Sequence, residues 1–239
     1  MSPTYHPSDE PLGMRPSYHP SDEQLIEYAS GAASEPMGLL IATHMALCPQ
    51  CRHAVAELES VGGAMFEALE PATIKRDALD WAMARLDEPA PATPKSTPAA
   101  VAAAPVQTGA TEPPLIPNPL RDWLGGALED LDWSTYGGVA RVDVMTSVPD
   151  ITTRLMRIRA GTRLPRHTHE GREVTLVLAG GFSDDLGHFL RGDVAVADAS
   201  VNHQPVADDD EDCLCLAVTD APLRLTGPLG RFFNPFVRI

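Results

Sequence analysis

The sequence predicts a two-domain α + β chain: an all-α helical bundle, a Pro/Ala-rich linker and an all-β sandwich or small barrel. Three observations predict it. Apolar residues recur at helical spacing up to about residue 88. Prolines and alanines then crowd a stretch with neither helical nor alternating periodicity. Beyond it, short apolar or alternating runs are punctuated by glycines. The expected boundaries are 1–88 for the helical domain (ordered from about 16), 89–118 for the linker and 119–239 for the β domain.

In the helical part, Ser21 is placed to cap a first helix running through Ile26, with Glu23 in its first turn and Gly31 near its end. Residues 38–47 read as a second helix. Residues 51–69 read as a third, with Val55, Leu58, Met65 and Leu69 at helical spacing and Gly62 and Gly63 weakening or bending it. A fourth, roughly 73–86, has a broad apolar side of Ile74, Ala78, Trp81, Ala82 and Met83. So small a bundle has a thin core, and a structural metal would help. Structural zinc contributes about 10–16 kcal/mol of apparent binding energy in small finger peptides. The linker, with Pro89, Pro91, Pro94 and Pro98 among its prolines, reads as a semi-extended tether. Residues 120–131 read as a short helix leading into expected strands at 154–158, 173–178, 194–196 and 213–218. Gly161, the pair Gly180 and Gly181, and Gly192 separate them.

His44-x₃-Cys48-x₂-Cys51 places three soft ligands within eight residues. His44 and Cys48 share a helix face at i and i+4. Pro49 fits the first turn of a new helix and brings Cys51 to the same point. Two thiolates and an imidazole suit Zn²⁺, and a closed site needs a fourth ligand. Tyr-His-Pro-Ser-Asp-Glu occurs twice, at 5–10 and 18–23, so His6 and His19 both compete for that place. His19 is preferred because it directly precedes the first helix. Two buried cysteines and a chance surface histidine are the plain alternative, which the spacing disfavours.

In the β part, His167-x-His169 puts two imidazoles on one face of a strand. Glu173 follows, and His203 lies two strands on. Three histidines and a carboxylate suit Zn, Fe, Mn or Ni, whereas a lone His-x-His is as often a solvated pair. Cys213 and Cys215 share a strand face. They are redox candidates if exposed and thiolate-like, and otherwise small residues of a barrel wall. His53 and His188 have no ligand-spaced partner and read as surface or packing residues.

The net charge of −15 argues against nucleic acid, which requires cations to displace phosphate counterions. Residues 1–88 carry fourteen acidic and five basic side chains, which suits a basic protein partner. No run approaches the ~18 apolar residues of a membrane span. The N-terminus lacks the apolar core of an export signal. Four cysteines in such a chain indicate metal or redox chemistry before disulfides, and a cytoplasmic location.

Gly161-x₅-His167-x-His169-x₃-Glu173-x₆-Gly180 resembles the first cupin motif at every position, and Gly192-x₁₀-His203 resembles the second. Asp198, Ser200 and Ala207 stand where that family usually has Pro, Gly and Asn, which bears on loop shape and leaves the ligands in place. Taken with the amino-terminal cluster, the chain resembles the ChrR-type zinc-binding anti-sigma factors. The resemblance covers nearly the whole chain apart from about the first fifteen residues and the linker. It rests on His19 lying 25 residues before His44, the His44/Cys48/Cys51 cluster, Val61-Gly62-Gly63 and the four cupin ligands. It continues through Asp212-Cys213-Leu214-Cys215-Leu216-Ala217 and Thr219-Asp220-Ala221-Pro222-Leu223.

The resemblance implies a zinc anti-sigma domain that holds an extracytoplasmic-function sigma factor one-to-one. It also implies a zinc-binding cupin needed to release that partner on singlet oxygen or related oxidants. No enzymatic activity is expected, and no direct contact with nucleic acid or membrane. On this reading Trp81, Met83 and Leu86 of the fourth helix pack in a groove of the sigma factor, and an ordinary core helix is the other reading. The sensing group stays open between Cys213/Cys215, the cupin metal and the amino-terminal thiolates. The serious rival is a dioxygenase-like cupin metalloenzyme carrying an amino-terminal zinc interaction module.

Overall fold

The computed structural model of this chain describes residues 15–86, 88, 115–145 and 148–226. His6 and the expected linker, apart from residues 115–118, lie outside them. By contacts the chain forms two compact units, one of Met1–Glu59 with Glu112–Ile239 and the other Ser60–Thr111. The first helices and the β-rich part therefore belong to one unit.

Among the described residues five α-helices form: α1 (Asp22–Ala29), α2 (Glu35–Leu47), α3 (Pro49–Glu67), α4 (Ala78–Ala84) and α5 (Asn118–Leu124). Ser21 caps α1 through a reciprocal pair: its hydroxyl accepts from Gln24 N–H at 3.3 Å, and Gln24 Oε1 accepts from Ser21 N–H at 2.8 Å. Pro36 sits in the first turn of α2, where a missing N–H costs nothing. Pro49 opens α3, as the spacing of the cysteines requires. That helix runs unbroken through Gly62 and Gly63.

In the first unit the helices share a core of Leu25, Ile41, Cys48, Cys51 and Val55. In the second, Met65 and Leu69 are exposed and no residue of α4 is buried. Helix α2 is apolar on nearly every side and so needs cover on two faces. Ile41 faces the helical core, while Leu39 and Leu40 pack against the large sheet beside Leu120 of α5.

Among the described residues twelve strands follow: β1 (Ser134–Tyr136), β2 (Val139–Met145), β3 (Thr152–Ile158), β4 (His167–His169), β5 (Glu173–Ala179), β6 (Gly181–Asp184), β7 (Gly187–Leu190), β8 (Val194–Ala197), β9 (Asn202–His203), β10 (Val206–Ala207), β11 (Cys213–Thr219) and β12 (Leu223–Leu225). Six make one antiparallel sheet in the order β1-β2-β3-β11-β5-β8, and two smaller sheets run β10-β6-β7 and β12-β4-β9. The strand period of two sorts the side chains. Leu214, Leu216 and Val218 of β11, with Val174, Leu176 and Leu178 of β5, face the helices. Cys213, Cys215 and Val177 point the other way, into a second core with Phe182 and Phe189. That inner face continues into a cavity of about 90 Å³ lined by His167, His203, Glu173, Asp184, Arg154 and Cys215 among others.

In the second unit, the end of α3, α4 and the residues between and just after them expose a series of large apolar side chains. Phe66, Leu69, Ile74, Leu79, Trp81, Met83 and Leu86 are all more than half exposed.

Candidate metal centres

His19 lies just before α1, His44 in the last turn of α2, Cys48 at its C-cap and Cys51 in the first turn of α3. Their donor atoms lie within 4.8 Å of one another, with His44, Cys48 and Cys51 buried and His19 half-buried. His44 Nε2 is 3.2 Å from Cys51 Sγ, and His19 Nδ1 is 3.4 Å from Cys48 Sγ and 3.5 Å from Cys51 Sγ. The thiols divide their protons unequally. The hydrogen bond from Cys51 outweighs burial and, with His44 assisting, holds Cys48 down to about 3. The same bond, burial and the Cys48 charge push Cys51 up. One buried thiolate beside a second thiol and two imidazoles is a donor set that fits a soft divalent cation, and Zn²⁺ above others.

The second cluster is built across two short paired strands. β4 and β9 align His167 with His203, and His169 lies on the same side as His167. His203 Nε2 is 3.1 Å from His167 Nε2 and 3.2 Å from His169 Nε2. Two of the far nitrogens are committed: His167 Nδ1 donates to Pro165 O at 2.8 Å, and His203 Nδ1 to Asp184 Oδ2 at 2.6 Å. Those bonds fix the tautomer and turn Nε2 lone pairs toward one another, an arrangement that a shared cation relieves. His169 Nδ1 is buried without a hydrogen-bond partner. Burial, opposed by weaker effects, lowers the pKa of both His167 and His169, keeping them neutral and able to ligate.

Glu173 does not join this cluster among the described residues. It lines the same cavity, with its carboxylate accepting from Thr219 Oγ1 at 3.3 Å and Thr175 Oγ1 at 3.5 Å. Cys213 and Cys215 are free and fully buried, and Cys215 reaches the cavity wall. The hydrogen bond with Cys213, then burial, push the Cys215 thiol well up, so it stands as a thiol and not as the reactive thiolate. His53 and His188 sit on the surface beside Glu57 and Asp208.

Two carboxylates escaped the sequence reading. Asp184 is 1% exposed at its side chain and also accepts from the N–H groups of Leu186 and Gly187. Burial pushes it up, but the His203 hydrogen bond and those amides outweigh burial and leave it below its ordinary range. Asp193 is buried as a whole residue, at 3% exposure. Their only sequence signal is an Asp beside a glycine turn, which marks hairpins in general.

With this geometry in hand, the comparisons are specific. A family model described as the ChrR cupin-like domain matches residues 125–222. The anti-sigma-E factor ChrR of Cereibacter sphaeroides is 39% identical over 219 residues, covering 90% of this chain and 95% of that one. A crystal structure of Rhodobacter sphaeroides SigE in complex with the anti-sigma ChrR matches with a TM-score of 0.70 at 36% identity, covering 85% of this chain and 98% of the solved one. A helical amino-terminal region joined to a β-rich cupin-like domain defines the class. The chain belongs to the family of ChrR-type anti-sigma factors.

Proposed function

We propose that this protein sequesters an extracytoplasmic-function sigma factor in a one-to-one complex, inside the cytoplasm where such factors act. Residues 1–88 supply the binding domain, 89–118 the tether and 119–239 the sensing cupin. The exposed apolar series from Phe66 to Leu86 supports this reading most directly, since patches of this kind mark interaction sites. Trp81, Met83 and Leu86 would pack in a groove of the partner. The relationship to a chain crystallised with SigE points to the partner's class.

His19, His44, Cys48 and Cys51 would hold one Zn²⁺. The three histidines would hold a second metal, with Glu173 joining them by turning away from its threonines. The metal's part would be to fix these side chains in one geometry. On an oxidative signal such as singlet oxygen, loss of the cupin geometry would free the sigma factor. The protonated, buried state of Cys215 favours the metal centres over the Cys213/Cys215 pair as the oxidant's target. A regulator of this family needs no turnover, and no enzymatic activity is assigned.

Co-expression with candidate sigma factors tests the reading. A stable equimolar complex that dissociates after oxidant exposure, with two zincs per chain, is expected. Failure to co-purify with any of them, or oxygen consumption with stoichiometric iron, would overturn it.

A further inference from the structure

The buried carboxylate of Asp193 lies in the turn between β7 and β8. Its Oδ1 accepts from the N–H groups of Ser17 at 2.6 Å and Tyr18 at 3.0 Å, and its Oδ2 from Leu190 N–H at 2.8 Å. Val194 N–H returns a bond to Tyr18 O at 3.1 Å. The backbone leading straight into His19 is therefore tied to the barrel wall. One residue earlier, Gly192 O accepts from His44 Nδ1 at 2.8 Å, which aims His44 Nε2 at the thiols. A single turn of the β-rich part thus orients both imidazoles of the cluster containing Cys48 and Cys51.

The same stretch of chain reaches the other cluster. Asp184 closes the β6–β7 hairpin, holding His203 Nδ1 with one oxygen and the N–H groups of Leu186 and Gly187 with the other. Gly187 lies so close to Tyr18 Oη that no Cβ would fit, and the Tyr18 ring packs on Phe189 with centroids 4.5 Å apart. Residues 184–193 therefore touch ligands of both clusters at their two ends, with Tyr18 braced against the middle.

We infer that residues 184–193 are an outer shell common to both metal centres, so that emptying the histidine triad loosens the metal held by Cys48 and Cys51. The inference rests on the two-metal reading above. A triad without a cation leaves the His203 ring free to turn, which releases Asp184, the hairpin it closes and the Tyr18 and Gly192 contacts beyond. Linkage makes the effect reciprocal. Outer-shell groups of this kind are worth about 10–100-fold in metal affinity.

Cobalt reports the test in the full-length chain. Thiolate-to-cobalt charge transfer arises only at the cluster holding Cys48 and Cys51, because the triad offers no sulfur. Its decay in excess chelator gives the release rate from that cluster alone. His167→Ala empties the triad without cutting a contact to the hairpin, since His167 Nδ1 bonds only Pro165 O. It should speed release about tenfold, as should Asp193→Asn, which removes the clamp on Ser17 and Tyr18. In an Asp184→Asn background, adding His167→Ala should change the rate little further.

Equal release rates in the wild type and His167→Ala would overturn the inference. Circular dichroism and the melting transition establish that each variant is folded; if His167→Ala fails there, His169→Ala takes its place under the same criterion. A wild-type chain with no thiolate band would sink the metal reading itself, and the inference with it.

Discussion

His167 and His203 each commit one ring nitrogen to the protein and turn the other toward the triad. Acid therefore acts on the metal-free protein with a definite sign. Burial lowers the pKa of His167 and His169 in the folded chain, so below about 6.5 the unfolded chain takes up protons that the native one refuses. Stability contributed by the neutral pair is full above that value and falls as pH drops through it. Asp184, also lowered, adds stability above its ordinary carboxylate range that is lost only in stronger acid. Denaturant midpoints of the chelated protein should fall from about pH 7.5 to about pH 5, and replacing both histidines by Gln should flatten that slope. Gly192 gives a second prediction at this scale. Its φ is +94°, and a Cβ would stand 2.7 Å from Pro16 Cγ. Gly192→Ala should cost about 1–2 kcal/mol for the backbone alone, read as a lower melting midpoint. Three members of the first cluster, His44, Cys48 and Cys51, were legible because they crowd into eight residues, and His19 because it directly precedes the first helix. Asp184 and Asp193 were not, because their partners lie 19 and about 175 residues away.

Among the elements, α2 and α4 part company. Both were expected as helices, the fourth with a broad apolar side, yet α2 is clamped between the helical core and the large sheet while α4 has no buried residue. Leu40→Ala should therefore cost about 2–5 kcal/mol in denaturant unfolding. A Trp81→Glu/Leu86→Glu pair alters side chains that are 62% and 72% exposed. It should leave helicity and melting unchanged while reducing sigma-factor capture at least about tenfold, the loss expected from removing an aromatic anchor. Normal capture by the folded variant would remove α4 from the interface. The strands with long apolar runs, β5 and β11, were legible from periodicity, as was the approximate place of β3 and β8. β6, β7, β9, β10 and β12 were not, since two to four residues carry too little pattern.

For the whole molecule, the joining of the first helices to the barrel changes what a truncation does. Leu39 and Leu40 pack on the sheet, and Gly192 and Asp193 hold the segment bearing His19 together with His44. A fragment ending at residue 88 exposes those leucines and loses the outer hydrogen bonds of the candidate His19/His44/Cys48/Cys51 cluster. On the proposed function it should melt below the full chain and give up zinc faster to a chelator, even where it still captures the proposed partner. Equal melting and equal zinc retention would show the helical part to be self-sufficient. Among the described residues no helix is long and apolar enough to cross a membrane.

Spacing in the chain determined most of two candidate metal clusters, the helical and β-rich halves, and the family they resemble, because those signals are largely local: a helical turn, a strand's alternation, a His or Cys two to four residues from the next. Only the tertiary structure decided which apolar helix is buried, that Glu173 rests on two threonines beside the triad, and that the barrel's turn at Gly192 and Asp193 supports the amino-terminal cluster. Such contacts join residues far apart in sequence. They are set by which surfaces must leave water together, a property of the packed molecule that no short window of sequence contains.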